Sequence, residues 1–209
     1  MARKARGSTK DVVLHVVNRG NDRRTLFRDA AEYDAFVALM TRARAKTDMR
    51  VFAFCLMPNH WHIVLQPRAD RDLAAFVGWI SQVHAQRTRR RDGTTGEGHV
   101  YQDRFHSFQI DDDEHFLTVC RYVERNALQS RLVDRAEAWT WCSLARRTAD
   151  GIDRLLTTWS CGLPCDWTTN VNGDADSPEL DVLHAARPSG RPRAADQISA
   201  ASSSASSTS

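Results

Sequence analysis

The sequence predicts an α+β fold of the ferredoxin-like kind, an antiparallel sheet with helices packed on one of its faces. Three observations lead to this prediction. The elements alternate in the order strand, helix, strand, strand, helix, strand, helix. The second and third strands are separated only by Pro58 and Asn59, a turn short enough to require an antiparallel hairpin. The chain has 209 residues and is 42% hydrophobic, which suits one domain with its own core.

Each element follows from a local pattern of residues. Strands are indicated where β-branched and aromatic residues run between turn residues, and helices where apolar residues recur every three or four positions. Asp29 is a suitable N-cap for the first helix, because Glu32 follows it three residues later. Trp139 and Trp141 are expected to anchor a turn into a short helix. The predicted elements, in chain order, span residues 11–21, 28–47, 50–57, 60–67, 71–91, 100–110, 111–133 and 138–147.

The composition changes near residue 169, where we place the end of the folded domain. Residues 170–209 contain few large apolar side chains and finish in a Ser-rich run, so we expect a largely disordered tail. Residues 1–150 contain 25 Lys/Arg and 19 Asp/Glu, a net charge of +6, and the remainder is mildly acidic. An Arg-rich, positive body indicates a partner that carries phosphates.

The sequence predicts a cytoplasmic protein. No apolar run approaches the roughly 18 residues needed to span a bilayer, and the basic N-terminus lacks the apolar segment of a signal peptide. The five cysteines are an odd number in apolar surroundings, which favours reduced and mostly buried thiols.

The segment MPNHWHIVL, residues 57–65, places two histidines on one side of a predicted strand. His60 and His62 are two residues apart and therefore share a face, while Trp61 faces the other side. Two buried imidazoles need partners. Both a structural pair bonded within the protein and a pair of metal ligands satisfy that need.

The segment RYVERN, residues 121–126, places Tyr122 and Asn126 on one face of a predicted helix. A partly buried tyrosine and an asparagine near a helix end would explain the pair without any chemistry. If that face lies over the histidines, however, two imidazoles and an amide oxygen would surround a divalent ion beside a phenol. Such a set suits phosphoryl transfer.

These two motifs resemble those of the single-tyrosine HUH transposases, and most closely the REP-associated tyrosine transposases. The resemblance runs from about Val12 to Trp167. Its other parts are HVVNRGNDRRTLFRD, GHVYQDRFHSFQIDDDEHFLTVCRYVERNALQSRLV, AEAWTWCSL and LPCDW.

The resemblance implies an IS200-like transposase domain that cuts and rejoins single-stranded DNA beside a hairpin. His60, His62 and Asn126 would hold Mg²⁺ or Mn²⁺, and Tyr122 would be the nucleophile. The products would be a 5′-phosphotyrosine link and a free 3′-hydroxyl. The enzyme would work in the cytoplasm at the nucleoid, as a monomer or a homodimer.

A set of mostly basic residues is expected to contact the DNA. A solvated charge run is the other interpretation of its helical members, and Arg104 could instead pair with Asp103 or Glu124. The candidate DNA-binding residues are Arg19, Gly20, Asn21, Arg23, Arg24, Arg87, Arg90 and Arg104.

The chain departs from the family pattern at two positions. Ala127 stands where proline usually follows the asparagine, so the helix could run on and turn Asn126 away from a metal. Tyr101 replaces a usual tryptophan and is a rival nucleophile. Two other functions stay open: a hairpin-binding protein without catalysis, and a domain whose His pair is only structural.

Overall fold

The structure is a computed structural model and describes residues 8–94, 98–149 and 153–173. Two short 3₁₀ turns, at Asn21–Arg23 and Ala136–Ala138, accompany the regular elements. The strands and helices are β1 (Val13–Arg19), α1 (Ala30–Thr47), β2 (Arg50–Met57), β3 (His60–Gln66), α2 (Asp72–Asp92), β4 (His106–Ile110), α3 (Asp113–Gln129), α4 (Ser143–Thr148) and α5 (Trp167–Asn172).

The four strands form one antiparallel sheet in the order β2-β3-β1-β4. This order, with α1 and α2 as the two crossovers, is the ferredoxin-like arrangement and confirms the predicted fold class. The central strands β1 and β3 pair so that Val17 lies opposite His62 and Arg19 lies opposite His60. The two histidines therefore sit on a central strand, at the end where β1 leaves the sheet.

Helices cover both faces of the sheet, so the expectation that they would lie on one face is wrong. One face carries Leu14, Val16, Trp61 and Ile63 and packs against α1 and α2. The other face packs against α3, α4 and α5. The reason lies in β2, which is buried at seven of its eight positions and so presents an apolar surface on both sides.

Helix α3 is built to cover the second face. Its buried positions recur at helical spacing and form one apolar stripe. That stripe consists of Phe116, Val119, Cys120, Val123 and Ala127. Asp112 caps the helix by accepting a hydrogen bond from the His115 amide at 2.8 Å.

Several predicted boundaries shift by a few residues. The cap at Asp29 is confirmed, since its carboxylate accepts a hydrogen bond from the Glu32 amide at 3.0 Å. The strand predicted over 100–110 is shorter, because only His106–Ile110 pairs with β1. The preceding segment instead meets the end of β1 through an isolated bridge between Tyr101 and Gly20.

Helix α5 crosses the predicted domain end at residue 169. Val171 within it is fully buried, and residues 170–173 pack against α3. The predicted tail beyond residue 173 lies outside the described residues.

All five cysteines are free, with Cys55, Cys120 and Cys142 buried and Cys161 and Cys165 exposed. Within the described part of the chain, every helix is too short or too polar to cross a membrane.

Candidate active site

Strand β3 presents the two histidines of the HWH motif to the α3 side of the sheet. The ring centroids of His60 and His62 are 5.0 Å apart. Trp61 points to the opposite side, where it is fully buried against Phe36 of α1. The alternation of the strand thus separates a polar pair from the core, as the sequence predicts.

Helix α3 brings Tyr122 and Asn126 to the same place. The Tyr122 ring lies edge-on to His62 with centroids 5.5 Å apart. The Asn126 side chain is buried and lies close enough to His60 and Tyr122 to shift the pKa of both groups. The helix does run on past Ala127, but Asn126 still faces the histidines. The missing proline therefore does not turn the amide away.

The environment keeps the site neutral. Burial, together with a smaller effect of the nearby Arg19 charge, lowers the pKa of His60 to about 4. Burial lowers the pKa of His62 well below its ordinary value. Burial also raises the pKa of the Tyr122 hydroxyl, while a hydrogen bond from Asn126 and the charge of Arg19 act in the opposite direction. Neutral imidazoles are the form that binds metals.

The histidines fit a divalent cation. His60 uses Nδ1 in a 2.7 Å hydrogen bond with Asn59 Oδ1, which leaves Nε2 available. The Nε2 atom of His62 is buried and has no hydrogen-bond partner among the described residues. A buried nitrogen without a partner is costly unless it serves as a ligand. Two imidazoles with an amide oxygen form a donor set for a divalent cation, since imidazole is the commonest metal ligand among side chains.

A third histidine belongs to this cluster, and sequence reasoning missed it. His15 Nε2 lies 3.0 Å from His62 Nδ1, and both rings are buried. His15 stands two residues before Val17, the β1 residue opposite His62, so it shares that face. The signal was present in the alternation of β1, but it could be used only once the register of β1 and β3 was known.

Comparisons with known proteins agree with this geometry. The family model described as "Transposase IS200 like" matches residues 8–126, more than half of the chain. This chain belongs to the IS200-like transposase family. It is therefore a DNA-processing enzyme by family, and the resemblance seen in the sequence is confirmed at that level.

Two solved structures are similar to this transposase. A REP-associated tyrosine transposase bound to a REP hairpin has 15% identity and a TM-score of 0.55, with 78% of this chain and 98% of that chain covered. A candidate transposase from Deinococcus radiodurans R1 has 15% identity and a TM-score of 0.41, with 63% and 95% covered. Only the first supports the fold. No curated protein matches the sequence.

The candidate DNA-binding residues of the transposase divide into three groups: residues 19–21 at the end of β1, three arginines in neighbouring loops, and two arginines on α2. Arg19 is exposed at the end of β1, opposite His60, and its charge acts on both histidines and on Tyr122. The fold itself requires glycine at the neighbouring position 20, because a Cβ on Gly20 would lie 2.5 Å from the Arg24 carbonyl oxygen. Asn21 also supports the turn, since its amide donates to the Val100 carbonyl at 2.9 Å.

The three arginines of the second group differ in whether an ion pair already holds the guanidinium. Arg24 is held by Asp92 in a 2.7 Å ion pair, whereas Arg23 is exposed. Arg104 is also exposed and forms no ion pair with the described residues. Its suggested partner Glu124 is fully buried elsewhere.

The third group lies on α2, across the sheet from Tyr122. Arg87 and Arg90 are exposed there, so the structure does not bring them to the histidines.

The rival tyrosine of the transposase is a core residue. Tyr101 is only 9% exposed and lies on the face that packs against α1 and α2. Its hydroxyl accepts a hydrogen bond from Trp61 Nε1 at 3.2 Å and contacts His84 Nδ1 at 2.7 Å. The whole sheet separates this hydroxyl from His62.

Glu124, inside the RYVERN motif, joins α3 to the segments around Trp141 and Trp167. Its carboxylate accepts hydrogen bonds from Ser143, from Arg147 Nε at 3.1 Å and from Trp167 Nε1 at 2.6 Å. A fully buried carboxylate needs such partners. This explains why the segments around Trp141 and Trp167 accompany the motif.

Arg121 and Arg125, on the same helix as Tyr122, also serve the fold. Arg121 donates to the Asn170 carbonyl at 2.9 Å, and Arg125 donates to the Val171 carbonyl at 2.7 Å. Cations at the carboxyl end of a helix satisfy its last carbonyl groups. These arginines therefore hold α5 against α3.

Proposed function

We propose that this chain is a REP-associated tyrosine transposase that nicks and rejoins single-stranded DNA beside a hairpin. The observation that carries the proposal is the convergence of four side chains from β3 and α3. His62 lies edge-on to the Tyr122 ring, His60 lies beside His62, and Asn126 is close to both His60 and Tyr122. Such a convergence is the geometry in which one phosphodiester could meet a nucleophile and a metal at once.

When bound, a divalent cation would support this chemistry by polarising the phosphodiester and neutralising the charge that develops on it. We propose that His60, His62 and Asn126 hold this ion, Mg²⁺ or Mn²⁺. The support is the orphaned Nε2 atom of His62 and the neutral state of both rings.

We assign the nucleophile to Tyr122. Its hydroxyl oxygen forms a bond to phosphorus while the bond from phosphorus to the 3′-oxygen breaks. The hydroxyl proton leaves to solvent, and the departing 3′-oxygen takes one up. The products are a 5′-phosphotyrosine link and a free 3′-hydroxyl, which reverses the reaction when it attacks the link.

Two neighbours support the assignment to Tyr122. A hydrogen bond from Asn126 and the positive charge of Arg19 favour the phenolate. Arg19 is exposed and unpaired among the described residues, so it is free to bind the phosphate. Electrostatic support of this kind is needed because burial disfavours the phenolate.

We propose hairpin DNA as the partner. The related transposase of known structure is bound to a REP hairpin. In this chain the exposed Arg19, Arg23 and Arg104 provide positive charge near the end of β1. Tyr122 meets the histidines of its own chain, so one protomer carries the complete set of residues. That completeness favours a monomer over a homodimer.

The experiment that tests the proposal is a covalent-adduct assay. The protein is incubated with 5′- or 3′-labelled single-stranded hairpins from the flanks of its own gene, with Mg²⁺ or Mn²⁺. Denaturing gels should show a metal-dependent protein–DNA adduct that disappears in Tyr122→Phe and persists in Tyr101→Phe. Tight hairpin binding without an adduct in either metal would support a catalytically silent hairpin-binding protein instead. If the protein neither binds the hairpin nor forms an adduct, both the transposase function and the hairpin-binding function are contradicted.

A further inference from the structure

The contact between His15 and His62 carries consequences for the metal site. His15 is 4% exposed and His62 is 5% exposed, so water does not reach the contact freely. The two ring planes are nearly parallel, at 14°, and the rings meet edge to edge, with centroids 5.2 Å apart and the two nitrogens 3.0 Å apart. This is the geometry of a hydrogen bond between the rings.

A hydrogen bond between two neutral imidazoles contains one proton and allows two arrangements. In the first, His62 donates from Nδ1 to His15 and keeps a lone pair on Nε2. In the second, His15 donates, and the proton of His62 sits on Nε2, where no described residue accepts it. Only the first arrangement leaves His62 Nε2 able to bind a cation.

The other metal-binding histidine follows the same scheme with a different partner. His60 Nδ1 is 2.7 Å from Asn59 Oδ1. The Asn59 amide nitrogen in turn donates to the Arg23 carbonyl at 3.4 Å, which fixes the oxygen towards His60. Both rings are thus held by an acceptor at Nδ1, and both direct Nε2 away from that acceptor.

We propose that His15 is a positioning residue that accepts the Nδ1 proton of His62 and thereby presents the Nε2 lone pair of His62 to the metal. The inference rests on the proposed function, in which His60 and His62 hold the cation. In this role His15 acts on the metal through His62, and its ring also lies edge-on to the Tyr122 ring with centroids 6.2 Å apart. The expected consequence of removing the acceptor is a 10- to 100-fold loss of metal affinity.

The test measures Mn²⁺ binding without DNA, by titration calorimetry and by the electron-spin resonance signal of free Mn²⁺. His15→Leu keeps a side chain of similar volume but removes the Nε2 acceptor that faces His62 Nδ1. It should therefore weaken Mn²⁺ binding 10- to 100-fold. His15→Gln places an amide near the position of the imidazole Nε2 and should restore binding to within about threefold of the original protein.

His84→Leu is the matched control. His84 is buried to the same degree, at 5% exposed, but it lies across the sheet and bonds to Tyr101. This substitution should lower the melting temperature and leave the Mn²⁺ affinity unchanged. If His84→Leu weakens Mn²⁺ binding as much as His15→Leu, the effect is one of general stability and the proposal is overturned.

A second measurement covers the case in which His15→Leu does not fold. Long-range ¹H–¹⁵N spectra of the metal-free protein report which ring nitrogen of His62 is protonated. We expect the Nδ1-protonated form in the original protein and in His15→Gln. An Nε2-protonated His62 in the original protein would overturn the proposal.

The two hypotheses fail in different ways. If the original protein binds no Mn²⁺, or if His62→Ala binds it equally well, the proposed metal site fails and the role of His15 fails with it. If the original protein binds Mn²⁺ through His62 and His15→Leu binds equally well, only the role of His15 fails.

Discussion

Removing one hydroxyl from Tyr101 should destabilise the protein without abolishing its chemistry. In the structure that hydroxyl lies between two buried groups, Trp61 Nε1 at 3.2 Å and His84 Nδ1 at 2.7 Å. Because Trp61 Nε1 can only donate, the tyrosine hydroxyl accepts from Trp61 and gives its own proton to His84 Nδ1. Tyr101→Phe therefore removes one acceptor and one donor from a dry region.

The size of the effect follows from the burial of the groups left behind. Trp61 is fully buried and His84 is 5% exposed, so neither finds water as a replacement. Each unsatisfied group costs about 1–3 kcal/mol, and we take about 3 kcal/mol for the pair. A domain of this size loses about 2–4 °C in melting temperature per kcal/mol. The expected decrease is therefore about 6–12 °C.

The assay compares Tyr101→Phe with Tyr122→Phe in the same two experiments. Thermal unfolding followed by circular dichroism should show the large decrease for Tyr101→Phe and a change within about 1 kcal/mol for the half-buried Tyr122. The adduct assay, run well below both melting temperatures, should show the reverse order. A stable Tyr101→Phe protein that forms no adduct would refute the reasoning, because it would give Tyr101 the role assigned to Tyr122.

Three further predictions concern the strand end and the far side of the sheet. Gly20→Ala should lower the free energy of unfolding by about 1–3 kcal/mol, because its Cβ would lie 2.5 Å from the Arg24 carbonyl oxygen. A Cβ at Gly78 in α2 would meet nothing within 4 Å, so Gly78→Ala should raise the free energy of unfolding by about 1 kcal/mol. Denaturant titrations that give the two glycine variants equal stability would contradict this prediction. Arg19→Gln should weaken hairpin binding about tenfold and reduce the salt slope by about one. Arg24 is already ion-paired, so Arg24→Gln should mainly lower stability. Equal losses of hairpin affinity for Arg19→Gln and Arg24→Gln in filter binding would contradict this prediction. Acidification from pH 6.5 to 4 should destabilise the protein by on the order of 3 kcal/mol through His84, because burial lowers its native pKa to about 4 and only the unfolded chain takes up the proton in that range. A pH dependence of the melting temperature that is unchanged in His84→Gln would contradict the last prediction.

The parts of the fold that could be predicted from the sequence are those set by local patterns. The alternation of HWH fixes which way His60 and His62 face, whatever the rest of the chain does. The Asp29 cap needs only residues within one helical turn. The spacing of Tyr122 and Asn126 likewise assigns them to one side of a helix.

The parts that could not be predicted depend on contacts between distant segments. Helix α3 covers the second face of the sheet because β2 is buried on both sides. The apolar run of β2 in the sequence is consistent with burial on both sides, but it is equally consistent with burial on one side only. The role of Tyr101 required its hydroxyl to be placed between Trp61 and His84, residues 40 and 17 positions away. The structural need for glycine at position 20 likewise depends on the Arg24 carbonyl, which excludes a side chain there and cannot be seen in the sequence.

The buried carboxylate of Glu124 has a consequence for the order in which the site forms during synthesis. Its partners Ser143 and Trp167 follow it by 19 and 43 residues, so they leave the ribosome later. At 5–20 residues per second the delay before Trp167 is made is roughly 2–9 s. Until then, docking α3 would place a charge in the core without its full set of partners, a penalty of several kcal/mol. A nascent chain can thus carry a folded sheet with both histidines while Tyr122 is still undocked, and the proposed site would be assembled only after Trp167 has been made.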